Sequence, residues 1–156
     1  MGNRHLTDEP ILPSADLLRK VVELCLDRKG EDVVSIDVRE LVEYMDHMVI
    51  VTGRSPRQNR AISEHVLTQL KREHGILPLS KSGMDGGSWI CVDLVDVVLH
   101  VFEPEAREHY DLELLWADGE KTEYEGRPTE DEPAAEAPVS SSIESQMIED
   151  SQQSDA

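Results

Sequence analysis

The chain has 156 residues, with 15 Lys+Arg against 33 Asp+Glu and a formal net charge of -18. That length supports one ordinary hydrophobic core. The acidic balance argues against a DNA or other nucleic-acid groove and against an anionic membrane surface, because both require clustered Lys and Arg; it is compatible with a basic protein partner.

Residues 1–12 read as a short polar lead. They contain no signal-peptide core, and Asp8 and Glu9 do not fit an Arg-rich, acid-poor organelle presequence. No apolar run approaches the ~18 residues needed to span a bilayer, and a cytoplasmic protein is expected. Pro13 and Ser14 mark the entry to a first helix, with Ser14 as N-cap and Gly30 as its stop. Between them Leu17, Leu18, Val21, Val22, Leu24 and Cys25 recur at helical period. Asp32–Val38 is rich in β-branched residues and reads as a strand; Glu40–Met45 reads as a loop or single turn. Met48–Thr52 is a continuous apolar run of strand length, which predicts a strand covered on both faces.

Ser55 and Pro56 open a second helix, Ser as N-cap and Pro at the first helical position, where its missing N–H costs nothing. Ile62, Val66, Leu67 and Leu70 form its buried stripe and Gly75 ends it. Ile76–Leu79 is expected as a short edge strand and Asp85-Gly86-Gly87 as a turn. Trp89–Leu94 and Val97–Phe102 read as two strands joined tightly at Val95-Asp96, a hairpin. Pro104 starts a helix through Tyr110, and Leu112, Leu114, Leu115 and Trp116 are expected to pack that end onto the sheet. Residues 13–116 thus form one α/β (α+β-like) domain, a small mixed β-sheet flanked by helices.

From Ala117 the composition changes. Residues 117–156 hold 12 acids against 2 bases, net -10, with few large apolar side chains, and are expected to form an acidic, disordered tail. The core is expected to end with Leu115 and Trp116, so that a chain cut after Glu120 keeps its melting temperature.

Cys25 and Cys91 match no zinc or redox spacing and read as two buried thiols. No P-loop, GxSxG, HExxH or Rossmann glycine pattern occurs. Six histidines are scattered singly, and strand alternation puts His100 on the same face as Val98 and Phe102. Gly53-Arg54-Ser55, between a strand and a helix N-terminus, is the candidate phosphate turn. Asp93 and Asp96 are the carboxylate pair nearest to it in kind. They lie three apart, on opposite faces of a regular strand and separated by a turn, whereas two-metal phosphoryl transfer needs carboxylates that converge. The residues therefore call for no metal or cofactor and identify no catalytic residue, although a nucleotidyltransferase-like, nucleotide-binding enzyme is the alternative reading. Arg54, Arg57 and Arg60 form a local basic cluster on one helix face, read either as a solvated face or as a secondary contact to ribosomal RNA.

Four segments coincide with a family. Asp46–Gln58 (DHMVIVTGRSPRQ) resembles the DYFVIATGNSxRQ signature of the ribosomal silencing factor (RsfS/Iojap) family. Trp89–Phe102 (WICVDLVDVVLHVF) resembles its WVLLDYGDVVVHVF, Arg107–Trp116 (REHYDLELLW) its REFYDLExLW, and Asp32–Val38 its first strand. The resemblance covers residues 14–116 in order and spacing. His47 stands where Tyr is common, and Val95 where a turn glycine is usual, so a left-handed residue is not expected there. The resemblance implies a nucleotidyltransferase-like topology without the catalytic carboxylates. It also implies a non-enzymatic translation repressor that binds the large ribosomal subunit through ribosomal protein L-fourteen and sterically excludes the small subunit under nutrient limitation. Homodimers are frequent in such a family. Trp89 and Leu94 match positions that contact the ribosomal protein, with Asp93 and Asp96 beside them; their odd spacing points Trp89 and Leu94 to opposite faces of a regular strand.

Overall fold

The computed structural model describes residues 12–125; the polar lead before Leu12 and the acidic tail beyond Glu125 lie outside the described residues. The element order is α1 (Ser14–Asp27), β1 (Glu31–Asp37), β2 (His47–Thr52), α2 (Pro56–His74), β3 (Ser80–Ser82), β4 (Trp89–Asp93), β5 (Val97–Phe102), α3 (Pro104–Tyr110), α4 (Leu112–Leu115) and β6 (Glu120–Tyr124). The six strands form one mixed sheet in the order β3-β4-β5-β2-β1-β6. β2 and β5 run parallel at its centre, from His47 opposite Val97 to Thr52 opposite Phe102. Every other pairing is antiparallel.

The apolar run of β2 is buried at all six positions, as its lack of alternation predicts. On one face Val33, Val49, Val51, Ile90, Val92, Leu99 and Val101 pack under α1 and α2, against Val21, Val22 and Cys25 and against Ile62, Val66 and Leu70. The other face buries Val34, Ile36, Met48, Ile50 and Phe102 with Val38 and Met45 of the β1–β2 connection, and Trp89, Leu112 and Trp116 pack partly buried against them. α2 carries the caps expected of it: Ser55 Oγ accepts from the Gln58 N–H, Pro56 starts the helix, and Gly75 closes it at φ 68°.

Several local expectations are corrected. Ser14 is the first residue of α1 and makes no side-chain cap; the cap position is Pro13, whose carbonyl accepts from the Leu17 N–H. The left-handed residue after α1 is Lys29, φ 64°, and not Gly30. Ile76–Leu79 forms no strand: the edge strand begins at Ser80, and Leu77 and Leu79 stay exposed. Leu112 and Trp116 do pack under the sheet, but Leu114 and Leu115 are 70% and 71% exposed. In a single helical turn only one side can face the sheet.

The folded region also runs past Trp116. Residues 120–124 pair antiparallel with β1, Glu120 opposite Asp37 and Tyr124 opposite Val33. Gly119 makes this approach possible, since a Cβ there would lie 2.6 Å from Ile36 Cγ2 and 2.7 Å from the Asp37 carbonyl. Tyr124 packs on the helix-side core, and its hydroxyl shares a 2.9 Å hydrogen bond with Ser35 Oγ. The acidic, alternately polar sequence hid this strand because an edge strand with an exposed face needs few apolar residues. A boundary at Trp116 is therefore too early.

The hairpin closes in a strained way. The Asp96 N–H donates to the Leu94 carbonyl (3.0 Å) and the Leu94 N–H to the Val97 carbonyl (2.9 Å), with Val95 between them at φ 77°. A three-residue turn of positive φ is rare, and a β-branched residue in it costs roughly 1–2 kcal/mol. Asp93 offsets part of this, Oδ1 accepting from the Val95 N–H at 2.8 Å.

Two stability measurements follow from this geometry. Val95→Gly is expected to stabilise the chain by about 0.5–1 kcal/mol, the relief of strain less the extra unfolded-state entropy of glycine, read as a raised denaturant midpoint at constant slope. Truncation after Gly126 keeps β6 and is expected to leave the melting temperature unchanged. Truncation after Glu120 removes the Tyr124 packing and hydrogen bond and is expected to cost about 2 kcal/mol or more.

Candidate functional site

The family-like residues of the hairpin separate onto the two faces of the sheet. Leu94 lies on the helix side, 4% exposed within the core, so it is not itself a surface anchor: alternation along β4 turns Ile90, Val92 and Leu94 inward together. Trp89, Cys91 and Asp93 point the other way and are each half-buried. The Asp93 carboxylate is turned onto its own hairpin. The Asp96 carbonyl accepts from the N–H groups of both Asp46 (2.8 Å) and His47 (3.0 Å), fastening the hairpin to the start of β2.

Trp89 is built into an aromatic group that sequence reading did not single out. Its cross-strand partner is Phe102, stacked at 5.0 Å between ring centroids and 26° between planes. Tyr110, from the end of α3, tilts against the indole at 4.5 Å and is 50% exposed. The indole Nε1–H donates to His100 Nδ1 at 3.1 Å. Because indole nitrogen only donates, His100 must accept through an unprotonated Nδ1 and is neutral. Burial pushes its imidazole down to about 4 from the usual 6.5. The signal available in the sequence was register: once β4 and β5 form a tight hairpin, Trp89 meets Phe102 and Cys91 meets His100 on a single face. The placement of His100 on the face of Phe102 agrees with strand parity.

Of the two cysteines, Cys25 is fully buried, and burial raises its thiol to about 12. Cys91 is only half-buried, so the expectation of two buried thiols holds for one; burial and then the Asp93 charge raise the Cys91 thiol above its ordinary value.

The candidate phosphate turn is in part tied down by the protein itself. The Gly53 N–H donates to the Phe102 carbonyl (2.9 Å), the Arg54 N–H to Gln58 Oε1 (2.8 Å) and the Gln58 N–H to Ser55 Oγ (3.1 Å). Asn59 Nδ2 donates to the Gly87 carbonyl at 2.7 Å, while its Oδ1, buried and without a hydrogen bond, abuts Gly53 where any Cβ would collide. The Gly53, Arg54 and Gln58 amides are thus engaged within the chain, and Asp93, the last residue of β4, and Asp96, in the bend that follows, lie outside this turn. Among the described residues no group of three His, Cys, Asp or Glu is placed to hold a metal, and no helix is long and apolar enough to cross a membrane. The basic cluster is dispersed: Arg54 Nε pairs with Glu31 (2.7 Å), and Arg60 Nη1 donates to the Met84 and Asp85 carbonyls (both 3.2 Å).

Arg107, within the third family-like segment, has a structural task. Its guanidinium donates to Thr52 Oγ1 (2.8 Å), the Asp32 carbonyl (2.7 Å) and both Glu113 oxygens (3.1 and 3.2 Å). Burial would raise the Glu113 carboxyl, but the Arg107 bond and the charges of Arg107 and Lys121 outweigh it and hold the group below its ordinary value. α3 and α4 are thereby tied across β1 and β2, which positions Tyr110 beside Trp89.

The family model "Ribosomal silencing factor during starvation" matches residues 12–152. The ribosomal silencing factor RsfS of Chromobacterium violaceum is 35% identical over 109 residues, 70% of this chain and 88% of that protein. The mouse protein named mitochondrial assembly of ribosomal large subunit protein 1 is 32% identical over 100 residues, 62% of this chain and 43% of that one. A crystal structure of a Chromobacterium violaceum protein superposes with a TM-score of 0.66 at 31% identity, covering 80% of this chain and 97% of the other.

The buried neutral His100 sets the pH response. Its folded-state value lies below the unfolded one, so between about pH 6.5 and 4 the unfolded chain binds a proton that the folded chain does not, and stability falls as pH falls through that window. The full effect is about 3 kcal/mol. Melting temperatures measured from pH 7.5 down to 4.5 are expected to fall, and His100→Asn to flatten that dependence.

Proposed function

The chain belongs to the ribosomal silencing factor family, and from that membership we propose that it represses translation without catalysis, by binding the large ribosomal subunit. In this reading it docks on ribosomal protein L-fourteen and occupies the face that the small subunit needs, in the cytoplasm and under nutrient limitation. The name of the mouse relative, which refers to assembly of the ribosomal large subunit, supports the same partner.

The observation that carries the proposal is the half-buried Trp89, stacked on Phe102 and Tyr110 on the sheet face that α1 and α2 do not cover. A large aromatic already held in place loses little entropy on docking and is the kind of residue that dominates an interface, often by 2 kcal/mol or more. Asp93 and Asp96, with the net charge of -18, favour a basic partner by steering its approach. Leu94 contributes from the core, by holding the inner side of the hairpin against α1 and α2.

Trp89→Ala tests this. Removing the indole from its stack is expected to lower the melting temperature while leaving a single cooperative transition. Cosedimentation with purified large subunits, at a temperature well below that transition, is expected to weaken at least tenfold. Undiminished cosedimentation would remove Trp89 from the interface, and loss of the transition would make it a core residue.

A further inference from the structure

We infer that His100 is the positioning residue of the docking face: its Nδ1 lone pair holds the Trp89 indole in the one orientation that a partner can engage. The inference rests on the reading of that face given above.

Trp89 opens β4 at the rim of the sheet and is only half-buried, so packing alone does not fix the direction of its N–H. Phe102 and Tyr110 supply stacking surfaces at 5.0 and 4.5 Å, but stacking is broad in angle and constrains the ring plane more than its rotation within the plane. The Nε1–H bond to His100, at 3.1 Å, is directional and removes that remaining freedom. It joins two side chains of adjacent strands that are not register partners: Trp89 faces Phe102 and His100 faces Cys91. The bond therefore crosses the ladder diagonally, fixing the ring against both strands at once.

The chemistry of the acceptor matters as much as its place. Trp89 can only donate, so it requires a neutral imidazole with the proton on Nε2. His100 is 8% exposed, and its burial keeps the imidazole neutral. A Lys or Arg here would have no lone pair, and an aliphatic residue would leave the indole N–H without a partner at a half-buried site, which favours rotation of the ring toward water. No other acceptor is bonded to Nε1 among the described residues. His100, itself buried, acts on the partner only through Trp89, which distinguishes it from the anchor.

Two substitutions of similar size and branching separate the hydrogen bond from packing. His100→Asn places an amide oxygen where Nδ1 stands; His100→Leu places a methyl group there. Both lose the imidazole ring. In the full chain labelled with ¹⁵N, the Trp89 indole N–H resonance, assigned against Trp89→Phe, is expected to stay downfield and slow to exchange in His100→Asn. In His100→Leu it is expected to shift and exchange quickly. Cosedimentation with purified large ribosomal subunits is expected to stay within about threefold of the natural chain for His100→Asn and to fall about tenfold for His100→Leu, at temperatures where both remain folded by circular dichroism. Equal binding by His100→Leu and the natural chain overturns the positioning role, as does equal loss in both variants, which would reduce His100 to packing. A natural chain that fails to cosediment overturns the docking reading, and the positioning role with it. That outcome is told apart from a failed hydrogen bond by an indole resonance that still moves in His100→Leu.

Discussion

The architecture depends on the parallel pair β2–β5 at the centre of the sheet. Parallel neighbours cannot be joined by a short turn, so the chain must leave β2, cross through α2 and the β3–β4 edge, and return. β2 is buried at every position, and a strand without a wet face requires cover on both sides. α1 and α2 supply one cover. The β1–β2 connection, α3, α4 and Trp116 supply the other, which is thinner. That asymmetry leaves Trp89, Cys91 and Asp93 half-open while Ile90, Val92 and Leu94 are sealed.

At the end of the sheet where β2 and β5 finish, several groups that could meet a ligand are engaged by the chain itself. Crevices outside the carboxyl ends of parallel strands are the usual binding places of α/β folds. Here Gly53 is packed by Asn59, the Gly53 and Arg54 amides are bonded within the chain, and Arg107 is engaged by Thr52, Asp32 and Glu113. Ion pairs and hydrogen bonds placed there hold α3 and α4 in position. The surface proposed for docking lies instead on the thinly covered face, built from an aromatic group and an acidic hairpin.

Strain and satisfaction coexist in that hairpin. Val95 is forced to φ 77°, yet the carboxylate of Asp93 and the carbonyl of Asp96 bind the turn to itself and to β2. Backbone strain of this kind is found at functional sites more often than elsewhere. The neutral His100 has a related character: burying an imidazole disfavours its charge, and here the uncharged form is the one that can accept from Trp89.

The sequence by itself determined the first three helices, the central strands and the hairpin, because those elements rest on local signals: the Ser55-Pro56 start and Gly75 stop of α2, the unbroken apolar run of β2, and the two β-rich runs of β4 and β5 either side of a short turn. Strand parity also separated Trp89 from Leu94. Family-like segments carried the ribosomal reading, which no spacing of residues would have supplied. Other features were decided only by tertiary structure. β6 is acidic and polar, and becomes a strand because β1 offers it an edge and Gly119 allows the approach. Leu114 and Leu115 stay exposed because a single turn presents one side to the sheet. Val95 takes a left-handed conformation against its own preference because β4 and β5 must close over three residues. The Trp89–His100 bond joins residues 11 apart along the chain, and no local pattern encodes it: it exists because the hairpin register and the packing of α3 bring donor, acceptor and stacking partners to one place.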